Sequence, residues 1–403
     1  MGGIIVIGGG QAGCSLVAKL RAEGHDGPIT LLCEEPVPPY QRPPLSKKYL
    51  LGDMPEERLY LRPGSWYAEH DITLRLGAQV EAIDPAARTV TVAGEALSYD
   101  QLALTTGARP HRLPAAIGGD LGGVYGVRTL ADVDAMAHEF APGKRVLIVG
   151  GGYIGLEAAA VAAARGMFVT LVEMADRILK RVAAPVTSDF FRALHLAHGV
   201  TLREATGLER LTGDGHVSGA VLAGGDTLDV DLVVVGVGIA PDVTLAEAAG
   251  LRIDNGIATD LRGQTSDPAI WAAGDCASFP RDGAQIRLES VQNAIDQAEL
   301  VACNMLGQER DYDPKPWFWS DQYDVKLQIA GLNTCYDRVI VRAGEKDGTV
   351  SHWYYTGDRL IAVDAMNDPR AYMVGKRLIE AGTSPAPERV GDPATGLMDL
   401  MRG

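Results

Sequence analysis

The sequence is sparing with cysteine, aromatic side chains and positive charge. Its five cysteines, at positions 14, 33, 276, 303 and 335, form neither a C-x-x-C nor a C-x4-C pair. Metal clusters, disulfide frameworks and redox dithiols need closer pairing or more ligands, so no metal is expected. Small buried residues in a reducing compartment are the expected role for these thiols. Lys and Arg number 37 against 52 Asp and Glu, a net charge of −15, which argues against nucleic acid or an anionic membrane surface as partner. Long apolar runs are missing too. The longest, Leu232 to Ala240, stops at Pro241, well short of the roughly 20 residues a membrane span requires. Strand-like sequence from Ile4 leaves no room for a signal peptide, so a cytoplasmic protein is expected. Glycine, by contrast, is plentiful, with 48 residues in a chain of 403, long enough for two or three domains.

Many of those glycines belong to a pattern that occurs twice. IIVIGGGQAG runs from Ile4 to Gly13 and VLIVGGGYIG from Val146 to Gly155. Gly8, Gly10 and Gly13 are matched by Gly150, Gly152 and Gly155, and Gln11 and Ala12 by Tyr153 and Ile154. Each copy is a β-branched apolar run, then G-x-G-x-x-G, then an alanine-rich stretch expected to be helical, Ala12 to Glu23 and Ile154 to Arg165. A second strand follows each time, Ile29 to Cys33 and Phe168 to Val172, with an acid after it, Glu34 and Glu173. A lone G-x-G-x-x-G is a weak signal. Strand, glycine loop, helix, strand and acid together define a dinucleotide-binding βαβ unit. The first glycine makes the turn, the second admits the pyrophosphate, and the third lets helix and strand approach. The helix N-terminus offers free N–H groups to the phosphates, and the acid accepts from the ribose hydroxyls. Two such sites imply two dinucleotides, and hydride transfer between a nicotinamide and a flavin is the simplest chemistry that needs both.

After Glu34 the chain reads EEPVPPYQRPPLSKKYL. This segment, with TTGARP, TSDPAIWAAGDCASF, RLESVQNAIDQAE, PWFWSDQY and YDRVIVR, resembles the FAD-dependent NADH:ferredoxin reductases of bacterial oxygenase systems, a putidaredoxin reductase-like group. That group belongs to the glutathione reductase-type pyridine nucleotide-disulfide oxidoreductases but lacks the redox disulfide. The resemblance places FAD on the first βαβ unit, with Glu35, Arg42 and Pro43 near the flavin and Lys47 at its reactive face. Alone, Lys47 reads as a solvated lysine. The resemblance puts Asp275, after Gly274, on the ribityl chain and Thr106, Gly107, Ala108 and Arg109 at the crossing between domains. It puts Glu289 at the nicotinamide pocket, and Ser290, Val291 and Ala294 at a helix start facing the flavin pyrimidine. Val80 and Gly238 are further cofactor contacts that it implies.

The second βαβ unit is then expected to take NADH. Glu173 accepts from a free 2′-hydroxyl and repels a 2′-phosphate. Met174 and Ala175 follow it, although Arg177, Lys180 and Arg181 further on leave some use of NADPH open. Glu157 alone reads as an acid in the first turn of a helix, complementing its dipole. The resemblance instead pairs it with Lys47 behind the nicotinamide and has Tyr153 cover the flavin until NADH arrives.

From Pro316 the composition changes. Strand-like stretches at Lys326–Ala330, Arg338–Arg342, His352–Tyr355 and Leu360–Val363 suggest an antiparallel sheet, Tyr372 to Ala381 a helix, and the tail is expected to be mobile. The resemblance sets Trp319 beside the flavin, whereas Trp317 and Trp319 alone also fit an aromatic core stripe. The expected fold is α/β, with FAD-binding (1–107 and 241–315) and NAD-binding (108–240) Rossmann-like domains plus a C-terminal α+β domain (316–403). The expected reaction passes a hydride from NADH to FAD and single electrons on to a 2Fe-2S ferredoxin supplying a monooxygenase of the cytochrome P-450 type. A Rieske-dioxygenase ferredoxin reductase, an NADH oxidase or monodehydroascorbate-type reductase, and an apoptosis-inducing-factor-like flavoprotein are the alternatives. A monomer or weak homodimer is expected. Residues 316–403 carry 10 Lys and Arg against 12 Asp and Glu, the less acidic part of the chain, and Arg310, Lys315, Lys326 and Arg342, which flank the tryptophan segment or its strands, are candidate docking charges for an acidic ferredoxin.

Overall fold

A computed structural model describes residues 3–402. They divide into two compact units. The first holds the described residues up to Arg42, with Pro55–Arg109 and Ile239–Pro316. The second holds Pro43–Met54, Pro110–Gly238 and the described residues from Trp317 on.

The first unit is built on a five-stranded sheet in the order Ile270–Ala272, Gln101–Leu104, Ile4–Ile7, Ile29–Leu32, Ile72–Arg75. Every pairing is parallel. Parallel strands buried on both faces read as unbroken apolar runs, and IIVI at Ile4–Ile7 is buried throughout. The helices Gln11–Ala22 and Val291–Met305 cover one face through Leu16, Val17, Leu20, Ala298, Val301 and Ala302. The small antiparallel sheet of Val80–Asp84, Thr89–Val92 and Glu95–Ser98 adds Ile83, Val90 and Val92 to the core on the other.

The second unit repeats the plan. Thr201–Arg203, Phe168–Val172, Arg145–Val149, Leu232–Val235 and Val124–Gly126 form another five-stranded parallel sheet. The same unit contains an antiparallel sheet in the order Trp317–Gln322, Val325–Gly331, Arg359–Met366, Val350–Thr356, Arg338–Ala343. The helix Pro369–Glu380 lies on it through Ala371, Val374 and Leu378. The expected α/β fold with a C-terminal antiparallel sheet is therefore present.

Five expectations change. Trp317–Gln322 is an edge strand of that sheet, whereas its tryptophans hid its alternation from the sequence reading. The glycine-loop helices start one residue early, at Gln11 and Tyr153, because the chain turns helical directly after Gly10 and Gly152. Glu157 is consequently the fifth residue of the helix Tyr153–Ala164, past its first turn, and it is buried. The tail is ordered: the short helices Pro387–Gly391 and Leu397–Met401 bury Val390 and Leu400. Arg342 closes it down, donating to the carbonyls of Val390, Asp392 and Thr395 at 2.8, 3.2 and 2.6 Å. Buried in this role, Arg342 is unavailable as a docking charge. Lys326 is exposed, while Lys315 pairs with Asp313 at 2.6 Å and Arg310 donates to Cys303 Sγ.

Among the described residues no helix is long and apolar enough to cross a membrane, and no cluster of His, Cys, Asp and Glu could hold a metal ion.

Candidate dinucleotide sites and the Lys47–Glu157 pair

The two glycine loops have the same steric logic. Gly8 and Gly150 sit at φ of +116° and +109°, where a Cβ would lie 2.2 Å from the Thr105 carbonyl oxygen and 2.4 Å from that of Gly236. A Cβ on Gly13 or Gly155 would lie 2.0 Å from the carbonyl oxygen of Gly8 or Gly150. These four glycines are required by the fold itself. The middle ones are not. A Cβ on Gly10 or Gly152 would meet no protein atom within 4 Å. Each caps its helix in an extended conformation with no side chain capping the first turn, so the leading N–H groups stay open. Open space and free donors at a helix N-terminus suit a pyrophosphate, and both loops fit the dinucleotides their sequence implies.

In the first unit three segments meet at the loop. A Cβ on Gly274 would lie 3.0 Å from the Ala12 Cβ and 3.9 Å from that of Ala294, so the Gly274–Asp275 turn is wedged between the N-terminal ends of both helices. Gln297 Oε1 accepts from the Gly274 N–H at 2.9 Å, and Ser290 caps the helix Val291–Met305 by accepting from the Asn293 N–H at 3.1 Å. Thr106 donates to the Asp242 carbonyl at 2.6 Å, while Gly107 accepts from the Asp242 N–H at 2.9 Å. Arg109 bridges Asp242 at 2.7 Å and Glu34 at 3.1 Å. Arg42 donates to Glu35 at 2.7 Å. Glu289 is exposed and pairs with Arg287 at 2.7 Å. Val80 begins an antiparallel strand and packs on the core.

The acids after the second strands are not equivalent. Register pairs Ile7 with Leu32 and Val149 with Val172, so the position matching Glu173 is Cys33, and Glu34 falls one residue later. Glu173 accepts from the Gly151 N–H at 2.7 Å and the Ala175 N–H at 2.8 Å. A carboxylate offers about four acceptor positions, so two remain for ribose hydroxyls. Gly238, at φ +104°, faces Arg181 and His111.

In the second unit the structure brings Lys47, Glu157 and Trp319 together. Lys47 Nζ lies 3.2 Å from Glu157 Oε1 and 3.5 Å from Asp321 Oδ2, and 5.7 Å from the centre of the Trp319 ring. Pro43 opens the short helix Pro43–Ser46 that delivers Ser46 and Lys47. Glu157 also accepts from Ser46 Oγ at 2.7 Å and Ser320 Oγ at 2.6 Å. Burial pushes the Glu157 carboxyl up, and Lys47 and the two hydroxyls work against that. Tyr153 packs on Phe318 with ring centres 4.9 Å apart. Its hydroxyl points inward and is buried without a partner among the described residues, and burial holds the phenol well above its ordinary range. Ile154 is exposed beside it. Ser46, Ser320 and Gln322 were missed by the sequence reading; the available signal was polar residues at alternate positions of a strand whose Ser320 and Gln322 face inward.

No thiol accompanies these groups. Four cysteines are buried and Cys335 is exposed, all of them free. Two parallel sheets, each with an open glycine loop, suit a two-dinucleotide oxidoreductase.

Residues 2–298 match the family described as pyridine nucleotide-disulphide oxidoreductase, and residues 317–401 match the one described as reductase C-terminal. The chain belongs to the pyridine nucleotide-disulphide oxidoreductases and is an FAD-dependent enzyme using a nicotinamide nucleotide. It is 41% identical to rhodocoxin reductase of Rhodococcus erythropolis over 96% of this chain and 92% of that protein. It is 40% identical to putidaredoxin reductase of Pseudomonas putida over 99% of this chain and 96% of that one. Among solved structures, the covalent putidaredoxin reductase–putidaredoxin complex matches with a TM-score of 0.95 at 39% identity, covering 99% of this chain and 98% of that chain.

Proposed function

We propose that this chain is an NADH-dependent reductase of a 2Fe-2S ferredoxin in the cytoplasm, supplying electrons to a monooxygenase of the cytochrome P-450 type. The observation that carries this reading is the pair of open glycine loops, one per unit, in a chain whose segment Arg42–Lys47 after the first βαβ unit holds no thiol. FAD, when bound, takes a hydride from NADH and releases the two electrons singly. The names and full-length similarity of its relatives support a ferredoxin as acceptor.

In this reading residues 1–107 and 241–315 form the FAD domain, 108–240 the NAD domain and 316–403 the C-terminal domain. Gly10 and the N–H groups of Gln11 and Ala12 receive the FAD pyrophosphate. Glu34 and Glu35 serve the adenosine end, with Arg42, Val80, Thr106, Ala108 and Arg109 as further contacts, and Asp275 holds the ribityl chain. The N-terminus of the helix Val291–Met305 favours negative charge on the flavin pyrimidine. Gly152 and the N–H groups of Tyr153 and Ile154 receive the NADH pyrophosphate, Glu173 its adenosine ribose, and Lys47 and Glu157 the nicotinamide end. Tyr153, Gly238, Glu289 and Trp319 are proposed as additional cofactor contacts. The protein is a monomer or weak homodimer.

The test is NADH-dependent cytochrome c reduction with and without a 2Fe-2S ferredoxin. Turnover is expected to rise at least tenfold with ferredoxin and to fall with added salt, because steering is screened over about 8 Å at physiological ionic strength. Rapid oxygen consumption that ferredoxin does not change would overturn the reading in favour of an oxidase.

A further inference from the structure

Glu157 ends a hydrogen-bonded chain that crosses the second unit. Ser320 Oγ lies 2.6 Å from Glu157 Oε1, Gln322 Nε2 lies 3.2 Å from Ser320 Oγ, and His195 Nε2 lies 2.9 Å from Gln322 Oε1. Tyr323 Oη lies 3.1 Å from His195 Nδ1. Glu157, Ser320, Gln322 and His195 are all buried, at 5% exposure or less. The helix Tyr153–Ala164, the strand Trp317–Gln322 and the helix Pro185–Ala197 supply the links, so residues far apart in sequence converge.

With Glu157 ionised, one placement of protons satisfies every link. A carboxylate only accepts, so Ser320 donates to it. The Ser320 oxygen then accepts from the Gln322 amide. The Gln322 carbonyl faces His195, whose Nε2 must carry the proton, and the bare Nδ1 accepts from Tyr323. Every bond donates toward Glu157. Bonds aligned in one direction polarise one another and strengthen the last. Burial holds His195 down to about 4, so its imidazole is neutral across the physiological range and this arrangement persists.

We infer that Ser320, Gln322 and His195 are positioning residues that hold Glu157 as an anion and thereby fix the Lys47 ammonium. This rests on the proposed roles of Lys47 and Glu157 at the nicotinamide end. If Glu157 takes up a proton, Lys47 keeps only Asp321, 3.5 Å away and 43% exposed, as a charged partner among the described residues. Lys47, Asp321 and Tyr153 are the charged or titratable groups bearing on Glu157 or its partner. His198 and Tyr323, whose rings stack 3.6 Å apart, bear on His195.

The experiment is an infrared titration of the Glu157 carboxyl in the purified FAD-loaded protein, isolated by subtracting Glu157→Gln, alongside the pH profile of flavin reduction by NADH. Ser320→Ala is expected to move the Glu157 titration up by about one pH unit, since a lost hydrogen bond to a charged group is worth about that much. Gln322→Leu, which acts through Ser320, is expected to move it up by a smaller but measurable amount. The acid limb of flavin reduction should move with it. His195→Leu should do the same, whereas His195→Gln, whose amide can both donate and accept, should restore the wild-type position. Should Gln322→Leu fail to fold, Ser320→Ala, which removes one oxygen, carries the test. If Glu157→Gln reduces its flavin as fast as wild type, the nicotinamide-end reading and this inference fall together. If Glu157→Gln is slow but the titration is unmoved in folded Ser320→Ala and Gln322→Leu, the reading stands and the inference is overturned.

Discussion

Gly10 and Gly13 stand three residues apart in one loop, and replacing each should fail differently. A Cβ at position 13 would sit 2.0 Å from the Gly8 carbonyl, so Gly13→Ala should destabilise even the apoprotein, by on the order of 1–3 kcal/mol. A Cβ at position 10 would enter open space, so Gly10→Ala should leave apoprotein stability unchanged while weakening FAD binding roughly tenfold or more. Gly152→Ala should do the same to NADH. Thermal melts of apoprotein with fluorescence titration of FAD check both halves. An unchanged FAD affinity in Gly10→Ala would mean that the open space does not receive the cofactor. Glu173 makes the second prediction at this scale. In the proposed role it contacts the 2′-hydroxyl, and such a contact, desolvated, is worth on the order of 1–3 kcal/mol, so the wild type should prefer NADH and Glu173→Arg should narrow or reverse that preference. Equal kcat/KM for NADH and NADPH in the wild type would contradict a ribose-facing role. The glycines and Glu173 stand out because the motif is local, within about 30 residues, whereas the structural counterpart of Glu173 in the first copy is Cys33 and not Glu34. The partners of Glu157 were not legible: Ser320 is 163 positions away and Ser46 is 111, and only folding makes them neighbours.

At the scale of elements, local pattern and packing diverge where a segment is defined by what covers it. The parallel strands read clearly because burial on both faces leaves them wholly apolar. Trp317–Gln322 did not, because its inward Ser320 and Gln322 are polar and its half-buried positions are aromatic, inverting the usual alternation. The tail read as mobile for want of pattern, yet Arg342 holds its carbonyls. The helix Pro185–Ala197 is tied to the C-terminal sheet by buried polar groups with consequences for pH. Thr187 contacts His352 at 2.7 Å and Asp364 at 2.9 Å, and Tyr354 also donates to Asp364. Burial pushes both His195 and His352 from 6.5 down to about 4. As pH falls from 6.5 to 4 the unfolded chain takes up these protons and the folded chain does not, so stability falls. Each histidine contributes on the order of 3 kcal/mol to that loss. Asp364, pushed from 3.8 up to about 6 by burial, works in the opposite direction over pH 6 to 4, so the three together give a net loss. Denaturant melts of holoprotein in excess FAD should show a shallower fall between pH 6.5 and 4 in His195→Gln than in wild type. Equal slopes would mean that His195 is protonated in the folded state.

At the scale of the whole molecule, two βαβ units of the same construction stand in one chain, and the segments between and beyond them give each its context. In the sequence the two loops differ by the segment after Glu34 and by Glu173, and full-length similarity to reductases places the chain in its family. The sequence did not reveal that Pro43–Met54 and the C-terminal sheet join Pro110–Gly238 in one compact unit, because that grouping is set by tertiary contacts, among them those of Lys47 with Glu157 and Asp321. The account stands on NADH delivering two electrons to an FAD held by this chain. The most direct test is an anaerobic titration of the purified, FAD-loaded protein with NADH, followed by flavin absorbance. One equivalent of NADH per FAD should bleach the flavin within seconds, with NADPH at the same concentration markedly slower. A protein that takes up no FAD, or whose flavin stays oxidised under excess NADH, would contradict the account.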